Sequence, residues 1–206
     1  MSEKIKLNKN SLREQKQSLA LYQEFLPTLE LRKQQLQVEV RNLRKVLQEK
    51  HEEMDAHFAE ARKWAPLIEG SLPAVRPLVD VKEVVSSRGN VAGVKVPVFE
   101  RVDFEIASYS LTATEPYIDD AVSFWKGAIA LREQLKVMER QMELLNHELR
   151  KTTQRINLYE KVLIPQTKEN IRRIKVYLGD QQTAAVCRAK IAKEKLVKKA
   201  QAASVG

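Results

Sequence analysis

The chain has 206 residues, of which 31% are charged and 43% hydrophobic, and it carries a formal net charge of +9 at pH 7. Because it has only six glycines and seven prolines, this composition favours a largely helical protein. No apolar stretch approaches the roughly 18 residues that a membrane-spanning helix needs. The charged start, MSEKIKLNKN, also lacks the apolar core of a secretory signal. The sequence therefore predicts a soluble intracellular protein that reaches a membrane only through partners.

Positive charge is concentrated at the two ends of the chain. Between residues 188 and 199 there are six Lys or Arg against one acid, Glu194, and between residues 1 and 16 there are five bases against two acids. A nucleic acid, an acidic protein surface or plain solvation of helix ends would each account for such clusters. Charge alone leaves these three alternatives open.

The first sixty residues carry a seven-residue apolar repeat. Two series of heptad positions, three residues apart, begin at Leu12 and Gln15, and twelve of the sixteen positions are apolar. The positions are 12, 19, 26, 33, 40, 47, 54 and 61, with 15, 22, 29, 36, 43, 50, 57 and 64. A repeat sustained over this length predicts a coiled-coil seam that packs against a partner helix. Pro27 lies within the repeat without disturbing its phase, which predicts a kinked but continuous helix.

The second half of the chain repeats the pattern. Apolar residues follow alternating steps of three and four from Ala128 to Leu163, and ten of these eleven positions are apolar. After Pro165 the phase resumes one residue later, at Ile171, Ile174 and Leu178. We expect a kink or a phase slip near Pro165 rather than a stop. Helices over about 9–64 and 116–200 would pair antiparallel, which would bring both chain ends and both basic clusters together at one tip.

The segment between the helices has a different composition. Valines flank Gly89, and the alternation from Val94 to Val98 is typical of a half-buried strand. It predicts a β-hairpin that turns near residues 88–90, with Pro97 on an edge strand; a short helix around 66–79 is weakly signalled. The overall prediction is an all-α fold: a long antiparallel two-helix coiled coil formed by the N- and C-terminal helices (residues 1–64 and 116–206). A small middle lobe (residues 65–115) would contain the β-hairpin and lie at the far end of the coil.

Candidate chemistry is sparse. His51 and His57 are six residues apart, whereas two zinc ligands on one helix face need a spacing of four. Residues 88–93 hold two glycines but no following Gly-Lys-Ser/Thr, so they do not make a phosphate loop. Cys187 and His147 have no catalytic neighbours in the sequence, so Cys187 is predicted to be a bystander thiol. We predict no catalytic, cofactor-binding or metal-binding residues and no cofactor.

Two segments resemble the D subunit of V-type and archaeal-type (V/A-type) ATPases. Residues 90–97, NVAGVKVP, are similar to the family's Asn-Val-Met-Gly-Val-x-Val-Pro, with Ala92 in the place of Met. Residues 155–165, RINLYEKVLIP, resemble its Arg-Val-Asn-Ala-Leu-Glu-Tyr-Val-x-Ile-Pro. The start of the chain, from Asn8 to Leu12, matches more loosely. Gln166, where the family usually has a basic residue, and residues 178–182 depart from the family pattern.

The resemblance implies a non-catalytic, central-stalk rotor subunit of a proton- or sodium-translocating ATPase or ATP synthase. Its expected partners are the A and B subunits of the catalytic ring, the F subunit and the C/d socket subunit of the membrane rotor. It would be cytoplasmic and attached to the inner face of the membrane through the complex, with no membrane insertion and no nucleic acid of its own. The alternatives are a coiled-coil stalk protein of a flagellar or secretion export ATPase, which would lack the valine-rich hairpin, and a basic nucleic-acid-binding coiled coil.

Overall fold

The computed structural model describes residues 5–62, 79–107 and 118–203. Helix α1 spans Lys9–Ala61, strands β1 and β2 span Val79–Val91 and Val94–Ile106, and helix α2 spans Ile118–Leu158. A π-helical turn, Tyr159–Leu163, connects α2 to helix α3, Ile164–Ala203. The predicted class, a long helical pair with a hairpin between its helices, is confirmed.

Burial follows the predicted seam. All fifteen heptad positions of α1 that lie within the described residues are buried or half-buried, as are all eleven from Ala128 to Leu163. Leu36, Leu145 and Ile174 are the most completely enclosed large side chains of the described residues, at 0%, 2% and 0% exposed. The seam positions therefore supply most of the buried side chains of the helical pair.

A side-chain hydrogen bond caps the start of α1, and the helix continues past an internal proline. The backbone N–H of Ser11 donates to the Asn8 side-chain oxygen at 2.7 Å, which caps one of the free donors of the first turn. Pro27 lies inside the helix, which continues to Ala61 as predicted. One residue later the hydroxyl of Thr28 donates to the Phe25 carbonyl at 3.1 Å.

The chain divides into two compact units. The first, called here the terminal unit, combines Met1–Glu30 with Gln154–Gly206, and the second, the hairpin unit, is Leu31–Thr153. In the terminal unit Tyr22 packs edge-to-face on Tyr159, with ring centroids 5.3 Å apart, and Gln15 accepts a hydrogen bond from Asn170 at 3.3 Å. Because the partner's number rises as the number in α1 falls, the two helices of this unit run antiparallel.

The π turn accounts for the phase slip predicted near Pro165. In it the N–H of Ile164 donates to the carbonyl of Tyr159, five residues back rather than four. The wider turn accommodates one additional residue, which is why the seam resumes one residue late at Ile171 and Ile174. Between the seam residues Leu163 and Ile171, the seam position is occupied by Thr167. This residue is 5% exposed, and its hydroxyl donates to the Leu163 carbonyl at 2.6 Å. The predicted slip without a stop is therefore confirmed.

The hairpin is longer than predicted, and it turns at a different place. Val91 pairs with Val94, so the two turn residues are Ala92 and Gly93, with φ of 49° and 79°. The prediction of a turn at residues 88–90 was wrong: Gly89 lies within β1, opposite Val96. Two positive φ values in a two-residue loop match the twist of paired strands, and glycine adopts such a φ without strain. Gly89 serves close packing instead, since a Cβ there would come within 2.6 Å of Val98.

The hairpin shares its core with the helices. Near the turn, Val94 and Val96 pack in one cluster with Leu36 and Val40 of α1 and Leu145 of α2. At the open end, Val79 of β1 packs with three residues at the start of α2: Ile118, Ala121 and Val122. The hairpin therefore shares the cores of the helices near its turn and at its open end. The predicted boundaries at 64 and 116, and the weak helix at 66–79, fall outside the described residues apart from Val79, which begins β1.

Candidate functional site

The two histidines considered as metal ligands point to different partners. His57 stacks on Phe124, with ring centroids 4.3 Å apart, and its Nε2 faces Gly127. The Nδ1 of His57 is buried and has no hydrogen-bond partner in the described part of the chain. His51 lies 4.0 Å from a carboxylate oxygen of Glu139. No group of three metal-ligating side chains occurs among the described residues.

Residues 88–93 are part of a strand and a tight turn. Arg88 pairs across the hairpin with Pro97, whose carbonyl accepts a hydrogen bond from the side-chain amide of Gln141 on α2. The guanidinium of Arg32 on α1 also lies near Gly93 of the turn. This loop anchors the hairpin to α1 and α2 and has no helix N-terminus to receive a phosphate.

The most prominent surface of the terminal unit is the end of α3. Leu178 is the last half-buried residue of the seam, and every residue from 179 to 199 is exposed. We call residues 179–199 the terminal segment. It carries six Lys or Arg and two acids, together with exposed apolar side chains such as Ile191 and Leu196, which are 53% and 68% exposed. Cys187 lies within it and is also exposed.

The hydrogen bond between Gln15 and Asn170 brings these two residues together across α1 and α3. Counting along the helices from this contact, the cap residue Asn8 lies near Tyr177, and Arg188 lies roughly 16 Å further along the axis at about 1.5 Å per residue. The two basic clusters therefore belong to one compact unit, but residues 188–199 lie further along the axis than the start of α1. The bases of the first turns of α1 lie instead opposite residues 169–176 of α3.

The part of α3 that does face α1 pairs its own charges. Glu169 lies 3.1 Å from Arg172 and 3.3 Å from Arg173. Although desolvation acts to raise it, the hydrogen bonds and charges of Arg172 and Arg173 lower the pKa of the Glu169 carboxyl below its ordinary value. The terminal segment has no such arrangement: within its described residues no ion pair forms, so its positive charge is free to face a partner.

Comparison with known proteins supplies the family. Residues 11–194 match the family model described as the D subunit of ATP synthase. This chain belongs to that family. It is 41% identical to the V-type ATP synthase D subunit of Borreliella burgdorferi over 196 residues, covering 95% of this chain and 96% of that protein. It is 35% identical to the V-type ATP synthase D subunit of Chlamydia pneumoniae over 200 residues, covering 95% of each chain.

The family assignment confirms the resemblance stated from residues 90–97 and 155–165. Both segments occupy structurally special positions: the first contains the hairpin turn at Ala92 and Gly93, and the second contains the π turn before Pro165. Among the described residues, no helix is both long and apolar enough to cross a bilayer.

The heptad pattern did not detect one group of exposed apolar residues. Leu21, Phe25, Leu158 and Val162 lie off the seam, and each is between 45% and 49% exposed. The heptad count scores only seam positions, so apolar residues beside the seam do not contribute to it. A signal for them was present in the sequence: each helix has a tyrosine on its seam, Tyr22 or Tyr159, and a leucine directly before that tyrosine.

Proposed function

We propose that this chain is the central-stalk shaft of a V/A-type ATPase or ATP synthase. In this role it is non-catalytic, and it couples nucleotide turnover in a ring of A and B subunits to rotation of a membrane rotor. The observation that carries the proposal is the terminal segment of α3, a bare basic helix that continues a tightly registered helical pair. The names of its relatives, which are D subunits of V-type ATP synthases, support the same assembly.

A shaft has to transmit torque without slipping. In the terminal unit, slippage of α1 against α3 would break the hydrogen bond between Gln15 and Asn170 and the contact between Tyr22 and Tyr159. It would also expose Ile171 and Ile174, which are 9% and 0% exposed. Burying side chains of this size contributes about 1.5–3 kcal/mol each, so sliding by even one residue is strongly opposed.

The terminal segment suits the interior of a ring of subunits. Its residues are all exposed, and its six bases would be attracted to acidic loops that line such a ring. The lobe between the two long helices would contact the F subunit and the C/d socket subunit. Through them the protein would be held on the cytoplasmic face of the membrane without inserting into it.

The experiment is charge reversal at the terminal segment. The variant Lys190→Glu/Lys193→Glu/Lys195→Glu, co-expressed with A, B and F subunits, should lower ring assembly or ATP hydrolysis coupled to rotation. A matched triple reversal on α1, Arg41→Glu/Arg44→Glu/Lys45→Glu, changes the net charge equally and should have a smaller effect. Unchanged assembly and coupling in the first variant would refute the role given to the basic segment.

The same variants test the nucleic-acid alternative, which the exposed basic helix also favours. A nucleic-acid-binding protein would bind duplex DNA or RNA with an affinity that falls steeply as salt rises, and the triple reversal would abolish that binding. Tight salt-dependent binding, combined with failure to join an A/B ring, would overturn the proposed function. The export-ATPase alternative is disfavoured by the hairpin over residues 79–106.

A further inference from the structure

An exposed apolar patch lies on the side of the terminal unit. Leu21 and Phe25 of α1, Leu158 of α2 and Val162 of the π turn are 49%, 45%, 47% and 48% exposed. We call these four residues the lateral patch. Large apolar side chains scattered singly over a surface are ordinary, whereas several on one side of a helical pair mark a surface that something covers.

The four residues lie on one side of the helical pair. Leu21 and Leu158 each precede a seam tyrosine, Tyr22 and Tyr159, which touch each other. Phe25 and Val162 each follow the same tyrosines by three residues. A residue one position before or three positions after a seam residue lies on the same flank of a helix. Turning the partner helix end over end, as antiparallel pairing does, brings that flank to the same side of the pair.

The opposite side of the pair is polar. Of the equivalent positions there, one residue after or two residues before the touching tyrosines, three are polar (Gln23, Asn157 and Glu160) and the fourth is the small Ala20; all four are exposed. The terminal unit is therefore apolar on one side of its seam and polar on the other. A helical pair that faced only water on both sides would have no need of this asymmetry.

Charge around the lateral patch is also divided. On α1 the neighbouring charges are acidic: Glu14 lies one heptad before Leu21, and Glu24 directly precedes Phe25. On the facing helix of the pair they are basic: Arg155 lies one heptad before Val162, and Lys161 lies beside it. All four are exposed, and within the described residues none of them is in an ion pair. Acids and bases elsewhere on these helices do pair, as Glu148 does with Lys151 at 3.3 Å.

We propose that the lateral patch is the docking site of an amphipathic α-helix from a partner chain. The apolar stripe of that helix would lie in the valley between α1 and the α2–π segment, as a third helix packs on two others. Its edge over α1 would carry Lys or Arg facing Glu14 and Glu24, and its edge over the other helix would carry Asp or Glu facing Arg155 and Lys161.

The size of the patch favours one helix over a second copy of this chain. Four half-exposed side chains offer on the order of 350 Å² of apolar surface, while a stable interface between two copies needs about 800 Å² from each. The proposal rests on the proposed function in one respect, because it takes the partner to be another subunit of the same assembly. In such an assembly a small contact is reinforced by contacts elsewhere.

The test is cysteine labelling in the assembled complex. In a Cys187→Ser background, single cysteines would replace Phe25 and Val162 on the patch, and Gln23 and Glu160 on the polar side. Each variant would be labelled with a maleimide, alone and after co-purification with A, B and F subunits. We expect the complex to slow labelling at least ~10-fold at the two patch positions and less than ~2-fold at the two polar positions, because docking closes only one side.

A matched pair of charge substitutions tests the charge pattern around the lateral patch. Glu24→Lys should restore most of the labelling at position 162 in the complex, whereas Glu30→Lys, on the polar side of the same helix, should leave the protection unchanged. A complex that forms but protects both sides equally, or neither side, would overturn the inference while leaving the proposed function standing.

Two further outcomes would also overturn it. Dimerisation of the free chain in light scattering, abolished by Phe25→Glu, would assign the lateral patch to a second copy. Failure of the chain to co-purify with the A, B and F subunits would remove the proposed function, and this inference with it.

Discussion

Truncation of Leu36 to alanine probes the point where α1, α2 and the hairpin meet. Leu36 is 0% exposed, and Leu145 and Val96 of its cluster are 2% and 3% exposed. Leu→Ala substitutions in close-packed cores cost about 2–5 kcal/mol, the higher values where the cavity cannot collapse. Val40 and Val94, at the margin of this cluster, are 7% and 8% exposed. They can move partly into the space, so we expect a loss near the middle of that range.

A loss of about 3 kcal/mol corresponds to a change of roughly 150-fold in the ratio of folded to unfolded protein. The matched control is Val38→Ala, two residues further along the same helix, where the side chain is 52% exposed. That substitution should change the free energy of unfolding by less than about 0.5 kcal/mol. Both variants keep the charge of α1 constant, and neither lowers its helix propensity because alanine is the best helix former, so a loss of stability in Leu36→Ala reports the cluster.

Urea unfolding followed by tryptophan fluorescence measures this difference. The chain has two tryptophans, so a Trp64→Phe background leaves Trp125 as the only tryptophan. Trp125 packs against the other core cluster of the hairpin unit, around Val79 and Ile118, and therefore reports the unit that contains Leu36. Leu36→Ala should lower the urea midpoint with little change in slope. Equal midpoints for Leu36→Ala and Val38→Ala would refute the assignment of Leu36 to a shared core.

Two glycines should respond oppositely to alanine. Gly93 has a φ of 79° in the hairpin turn, so Gly93→Ala should destabilise by about 1 kcal/mol. Gly179 lies in α3 with nothing near its Cβ position, so Gly179→Ala should stabilise by about 0.5–1 kcal/mol; thermal melts followed by circular dichroism would test both. Glu169 should titrate below the ordinary range of a glutamate in NMR, and Arg172→Gln or Arg173→Gln should raise its midpoint. Because the folded-state pKa is lowered, its contribution is present above the ordinary pKa and is lost as pH falls through the folded value. A midpoint that ignores both arginines would contradict this origin.

The sequence by itself determined which faces of the helices are buried. Apolar residues at steps of three and four place one stripe on each helix, and this stripe must leave water wherever a partner is found. The same local logic located the phase slip before Pro165, since a proline and a seam that resumes one residue late require an extra residue in between. The segments 90–97 and 155–165 also carried the family resemblance without any structure.

Tertiary structure decided the hairpin turn and the axial register. Both Gly89 and Gly93 could have supplied a turn, and pairing of Val91 with Val94 over the helical core selects Gly93. A heptad seam repeats every seven residues, so it specifies a buried face but not how far one helix slides along the other. Specific contacts such as Gln15 to Asn170 set that position, and they leave residues 179–199 beyond the start of α1. The exposure of the terminal segment is thus a consequence of register, which no local pattern encodes.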